Sequence, residues 1–289
     1  MTPALPDRIA SQFTDAERTL LVELRRSLHR RPELSWKETQ TQARLREALM
    51  DIGITDIRET AGTGLVARIA GRAAGGPAVA IRGDIDALPI HEETGLPFTS
   101  MHPGVMHACG HDMHAAWAVG AGLLLAKHPA VGEVRILLQP AEELGEGAQR
   151  VLADGALDGV GAIFGAHVDW RFSIGEIVAT PGPLAASTDT FEITFHGKGG
   201  HGARPQDTHD PIIGMSAFVS DVQTIVSRRL DPALPGVVSI GMLHAGAAPN
   251  VIPEAATCAG TIRATTPDSR ALLCAEVERV AQAVAATHR

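Results

Sequence analysis

The sequence predicts an α/β unit built on a doubly wound, mostly parallel sheet, followed by a smaller α+β unit. Three observations predict it. Short apolar runs at residues 78–81, 134–138 and 162–165 alternate with helical stretches, as expected of strands covered on both faces. Each run ends in acids or imidazoles, namely Asp84 and Asp86, Glu142 and Glu143, and His167, where open α/β sheets place their ligands. From about Ser187 the order becomes strand, helix, strand, strand, helix, a ferredoxin-like run that can stand as its own domain. Domains are therefore expected at residues 1–186 and 187–289.

Taken in order, Thr14-x-x-Glu17 and Ser35-x-x-Glu38 both read as capping boxes. The first predicts a helix carrying Leu20, Leu21, Leu24 and Leu28 that stops at Pro32. The second predicts a helix carrying Ala43, Leu45, Leu49 and Ile52 that ends at Gly53. Arg25-Arg26 and Arg30-Arg31 form the densest basic cluster and read as a solvated helix face. Strands follow at 64–69 and 77–82, then an apolar helix at 115–126. Next come the strand at 134–138, a helix carrying Val151 and Leu152, and the strand at 162–165. A boundary falls near Pro181-Gly182-Pro183. Beyond it come a strand at 190–196, a helix at 211–230, strands at 237–243 and 257–264, and a helix at 269–287.

Composition narrows the function. At 289 residues and 45% hydrophobic, the chain can bury a sizeable core. A net charge of -8 without any Lys/Arg block argues against nucleic acid. The run at 115–126 falls short of the ~20 residues that span a bilayer. Three cysteines lack framework spacing, and residues 1–15 lack an apolar secretory core. The expectation is a reducing, cytoplasmic setting with Cys109 as a thiol.

The chemistry concentrates in Met106-His107-Ala108-Cys109-Gly110-His111-Asp112-Met113-His114, where a polar loop meets the apolar helix. Thiolate, imidazole and carboxylate hold zinc-like ions. Cys109-x-His111 alone is more often core plus surface; the later strand ends strengthen the metal reading. His107 and His114 read as supporting or packing residues. Asp112 fits the N-cap of the helix or an imidazole-orienting role. Glu142-Glu143 can be a solvated pair, or one ligand beside one proton acceptor. Gly197 to Gly202 lacks the Gly-Lys-Ser/Thr ending of a phosphate loop, and no Gly-x-Ser-x-Gly elbow exists. A cysteine-nucleophile hydrolase using Cys109 would leave His111, Glu142 and Glu143 unexplained.

With these residues assembled, the chain resembles the two-metal amidohydrolases and metallopeptidases. Hippurate hydrolase, N-acyl-amino-acid amidohydrolases and auxin-conjugate hydrolases belong to that group, and aminoacylase and glutamate carboxypeptidase are related to it. The matching segments are Arg82 to Pro89, Met106 to His114, Gln139 to Glu143, Gly165 to Val168, Gly197 to Pro205, Asn250 to Pro253 and Gly260 to Arg263. The resemblance implies two divalent ions (Mn, Zn, Co or Ni) on Cys109, His111, Glu143 and His167. It implies Glu142 as general acid/base on a water activated by the ions, with Asp86 and Asp112 as supporting residues. His201, Asn250 and Arg263 would bind substrate, a small N-acyl amino acid or amide. The second domain would be a lid and the contact of a homodimer. In the family the chain returns to the catalytic sheet and supplies a final His ligand, whereas this sequence ends at Arg289. The rival expectation is a catalytically silent, truncated relative that only binds.

Overall fold

The computed structural model of the chain describes residues 5–73 and 75–288, so the first four residues of the stretch read for a secretory signal lie outside it. The chain divides into two compact units, Met1–Glu176 and Ile177–Arg289. The break falls ten residues ahead of the expected boundary. Among the described residues no helix is long and apolar enough to cross a membrane.

In the first unit α1 (Leu5–Ala10), α2 (Asp15–Arg30) and α3 (Thr39–Asp51) precede β1 (Ile57–Thr60), β2 (Gly64–Ile69) and β3 (Ala78–Asp84). Then come α4 (His111–Lys127), β4 (Val134–Gln139), α5 (Gly147–Ala153) and β5 (Val160–Gly165). The sheet order is β1-β2-β4-β3-β5. β3 pairs parallel with β4 and β5, whereas β1–β2 and β2–β4 are antiparallel. The parallel part is thus the half that carries the strand ends of interest. Strand β1, absent from the sequence reading, is a four-residue edge with one buried position and little apolar signal.

Leu24, Leu28, Leu45, Leu49, Ala115, Val119, Ile136 and Leu138 pack α2, α3 and α4 on one face of the sheet. Val66, Leu137, Val151 and Ala156 form a smaller cluster on the other. Helix α4 is apolar on nearly every side, as its burial requires. Gly83 permits the close crossing of α4 over β3, since a Cβ there would lie 2.5 Å from the His114 carbonyl oxygen.

The Thr14 capping box forms as predicted, with Thr14 and Glu17 exchanging side-chain-to-backbone bonds. The Ser35 box does not. Glu38 is the N-cap of α3 but makes no side-chain cap bond, and Ser35 donates to Asp86 instead. The Glu33 carboxylate accepts the N–H groups of Gln40 and Thr41 and serves this helix end.

The second unit holds β6 (Ser187–His196), β7 (Gly200–His201), α6 (Pro211–Asp221), α7 (Gln223–Arg228), β8 (Gly236–Ala245), β9 (Val251–Ile252), β10 (Ala255–Ala264) and α8 (Pro267–Thr287). An antiparallel sheet of order β6-β10-β8 packs through Phe195, Cys258 and Ile262 on Met215, Phe218, Leu273 and Val277 of the helices. β7 and β9 form a separate ribbon. The predicted helix at 211–230 is interrupted at Val222, beside which the Thr224 hydroxyl bonds the Asp221 carbonyl at 2.6 Å.

Candidate metal centre

Three strand ends and one helix start build the site. β3 delivers Asp84 and, two residues on, Asp86; β4 delivers Glu142 and Glu143 through Pro140 and Ala141; β5 delivers His167. Helix α4 opens with His111 directly after Gly110, whose φ of +85° is left-handed. A Cβ on Gly110 would stand 2.4 Å from Val168 Cγ2. Only glycine satisfies both demands, and it lets the Cys109 loop close on the β5 end.

The closure brings Cys109 Sγ to 3.3 Å from His167 Nε2. His167 Nδ1 donates to the Val168 carbonyl, which cannot itself donate, so Nε2 of the neutral ring offers a lone pair to the site. His111 is oriented the same way. Its Nδ1 bonds the backbone oxygen of Asp86 at 2.9 Å and Asp86 Oδ1 at 3.2 Å. Its Nε2 lies 3.8 Å from both Glu142 Oε2 and Glu143 Oε1.

Potential ligand atoms of Cys109, His111 and His167 lie within 4.8 Å of one another, as do those of His111, Glu142 and Glu143, and those of Asp84, His111 and His114. His111 Nε2 and Glu143 Oε1 are buried and lack a hydrogen-bond partner among the described residues. Orphaned buried acceptors are costly unless a ligand completes them. Sulfur, imidazole and carboxylate converging on two such atoms fit a divalent cation.

The electrostatics agree. Burial works to lower the His111 pKa, but the bond to Asp86, the nearby Cys109 sulfur and the charges of Asp84 and Asp86 outweigh it, raising it to about 11. The carboxylates that favour positive charge on His111 would equally favour a cation beside it, whose binding would release the proton. Burial, with Glu142 and Asp86 alongside, pushes Glu143 up against the pull of His111. Burial also acts to raise Asp84, yet His114, His111 and Arg82 bring it down to about 2.

The structure gathers Cys109, His111, Glu142, Glu143, His167 and Asp86 into one place. Asp112 is not the helix N-cap: Gly110 holds that position without a side-chain bond, and Asp112 turns inward from the first turn. Its Oδ2 contacts His29 Nδ1 at 2.9 Å and forms an ion pair, outside hydrogen-bond geometry, with Arg25 Nε at 2.6 Å. Arg25 also lies over the Phe98 ring at 4.8 Å, so this part of the basic cluster is packed rather than solvated. His29 Nε2 continues to Glu92 at 3.1 Å. No local pattern around His29 or Glu92 announced that connection.

His114 lies between Asp84, at 2.6 Å from its Nδ1, and the Val168 N–H, which donates to its Nε2 at 3.0 Å. Asp84 thereby fixes the backbone beside His167. His107 is buried with both ring nitrogens unpartnered among the described residues, and burial drives its pKa to about 4. His201, Asn250 and Arg263 all belong to the second unit. His201 and Asn250 are exposed and joined through the Gly202 N–H to the Asn250 carbonyl, while Arg263 stands half-buried on β10.

Comparison with known proteins assigns the chain to a family. The chain is 46% identical over 246 residues to an N-acetyl-L-cysteine deacetylase of Bacillus subtilis (strain 168), covering 84% of this chain and 59% of that protein. It is 40% identical over 266 residues to an N-acetyldiaminopimelate deacetylase of Listeria monocytogenes serotype 4a, covering 90% and 71%. A Bacillus subtilis structure described as a dinuclear metal-binding peptidase of family M20 superposes with a TM-score of 0.81 at 41% identity, covering 95% of this chain and 72% of the other. The chain thus spans between 59% and 72% of the length of these relatives. The pattern of peptidase family M20/M25/M40 matches residues 80–287, from β3 to the end of α8, and the chain belongs to that family.

Proposed function

We propose that the chain is a metal-dependent amidohydrolase cleaving the amide bond of N-acyl amino acids or similar small conjugates, in keeping with the deacetylases it is similar to. The observation that carries the reading is the convergence of Cys109 and His111 at the start of α4 with Glu142, Glu143 and His167 at the ends of β4 and β5.

In this reading Cys109, His111, Glu143 and His167 hold two divalent ions. Mn, Zn, Co and Ni all suit such a mixed set, and the thiolate favours zinc-like ions. Bound ions would supply Lewis-acid polarisation of the substrate carbonyl and a lower pKa for the attacking water. The Glu142 side chain is 41% exposed against 19% for Glu143, which supports Glu142 as the carboxylate left for proton transfer. Glu142 takes a proton from water as the oxygen attacks the acyl carbon. It returns that proton to the amine nitrogen as the C–N bond breaks. His111, held by Asp86, and His167, with the Val168 backbone held by Asp84 and His114, keep the site from relaxing.

His201 is assigned to the carbonyl oxygen, and Asn250 and Arg263 to the substrate carboxylate, which a planar guanidinium binds through both oxygens. The second unit as lid and homodimer contact, and a cytoplasmic location, complete the reading. The alternative reading is a relative that binds metal without cleaving, since membership of a family does not by itself secure activity.

Metal content per chain, measured with hydrolysis of a panel of N-acyl amino acids including hippurate, tests both. Amide cleavage that Glu142→Gln abolishes while metal content is retained supports the enzyme. Full loading without cleavage supports the binder. Inactivation by thiol alkylation with indifference to chelators would instead make Cys109 a nucleophile.

A further inference from the structure

Glu38 stands at the start of α3, yet it is fully buried and spends neither oxygen on that helix. Oε1 accepts the Ala141 N–H at 2.9 Å, and Oε2 accepts the Thr63 hydroxyl at 2.6 Å. Ala141 has a φ of +48°, a left-handed conformation that is unfavourable for an L residue. The next residue is Glu142.

The loop leading to Glu38 reaches the same acidic turn at two further points. The Ser35 hydroxyl and the Glu143 N–H share Asp86 Oδ2, at 2.7 and 3.0 Å. Trp36, itself left-handed at φ +66°, donates from Nε1 to Glu146 Oε2 at 3.1 Å. A bridge between Leu34 and Ala87, with the Ala87 N–H on the Glu33 carbonyl, ties this loop to the chain just after Asp86. Burying a carboxylate is expensive, so where its two acceptors are committed is informative.

From this placement we infer that Glu38 is a positioning residue for the acid pair: it holds Ala141 left-handed and so aims Glu142 and Glu143 toward His111. It touches neither substrate nor ion, and the inference rests on the metal reading of Glu143 given above. Glu38 acts through the Ala141 amide, and the strain at Ala141 is kept because the clamp over-determines it.

Titration of the full chain with Co2+, read by absorbance, tests this together with amide exchange of the metal-free chain. Glu38→Ala is expected to weaken cobalt binding roughly tenfold, in the range for partners that orient ligands. It should also speed exchange of the Glu143 amide, which Glu38 does not contact. Glu38→Gln keeps an oxygen for the Ala141 N–H and should stay close to the unmodified chain. Adding Ala141→Gly to Glu38→Ala should recover most of the affinity, because glycine adopts this φ without a clamp. Unchanged affinity and exchange in Glu38→Ala would overturn the inference. So would a loss that follows a lowered melting temperature and is not recovered by Ala141→Gly. Glu143→Gln separates the two claims: normal cobalt binding there removes Glu143 as a ligand, while the Glu143 amide still decides the role of Glu38.

Discussion

His111 and Asp112 are neighbours in the first turn of α4, and they serve two buried polar networks of opposite kind. On the His111 side, Nε2 and the facing Glu143 Oε1 are left without partners among the described residues, within reach of Cys109, Glu142 and His167. On the Asp112 side, Oδ2 meets His29 and Arg25, and His29 passes on to Glu92, which also takes the Ser100 N–H. In the first, unpartnered atoms from α4 and the β4 end face one another beside a thiol and a second imidazole; the second is chained through Asp112 Oδ2, with Asp112 Oδ1 left unpartnered among the described residues. In the reading proposed above, the first would hold a cation, while the second ties the start of α4, and with it His111, to α2. Both are acidic and histidine-rich, so composition alone cannot tell them apart.

The contrast can be broken by substitution, and the largest effect is expected on the open side. His111→Ala should weaken Zn2+ or Co2+ binding by more than about 100-fold, beyond the range for residues that merely orient ligands. Asp112→Asn should change it far less, and equal losses in a metal titration would erase the distinction. Next comes Gly110→Ala, which forces a left-handed alanine and a clash with Val168. Urea unfolding should show at least ~2 kcal/mol of lost stability. A neutral result would mean that the loop reaches the β5 end another way.

A smaller effect is expected at the residue that steadies His167. His114→Gln should weaken metal binding about tenfold while leaving thiol accessibility at Cys109 similar. No change would free His167 from the Asp84–His114–Val168 chain. The smallest concerns the closed side. The bond to Asp112 raises the His29 pKa above 6.5, with burial opposing and Glu92 reinforcing. A raised folded pKa means stability that is fully present below pH 6.5 and lost as pH rises through the folded value. Metal-free unfolding free energy should therefore fall as pH increases above 6.5, and His29→Gln should make that fall shallower. An identical slope would show that His29 does not couple to folding.

Much of this was legible in the sequence for a physical reason. β3 and β4 read as continuous apolar runs because they are largely buried, and the acids just past them stood out for that reason. β5 reads the same way yet is mostly exposed, and Cys109 and His111 were legible from the dense loop ahead of α4 rather than from a strand end. What stayed hidden depended on partners distant in the chain. Ser35-x-x-Glu38 has the spacing of a capping box, yet tertiary partners 51 and 103 residues away, Asp86 and Ala141, captured its side chains. Asp112 reads as an N-cap by position, but the left-handed Gly110 begins the helix and frees Asp112 to face His29. Arg25 lies in a basic run whose solvated reading cannot anticipate Phe98 and Asp112 from elsewhere in the chain.

The most direct test of the central claim is anomalous diffraction from crystals of the chain soaked with Zn2+ or Mn2+. The account predicts a peak within about 2.0–2.3 Å of Cys109 Sγ and His167 Nε2, with His111 Nε2 and Glu143 turned toward the same centre. Saturating metal with no peak among these four side chains, or ordered ions only elsewhere, would contradict it.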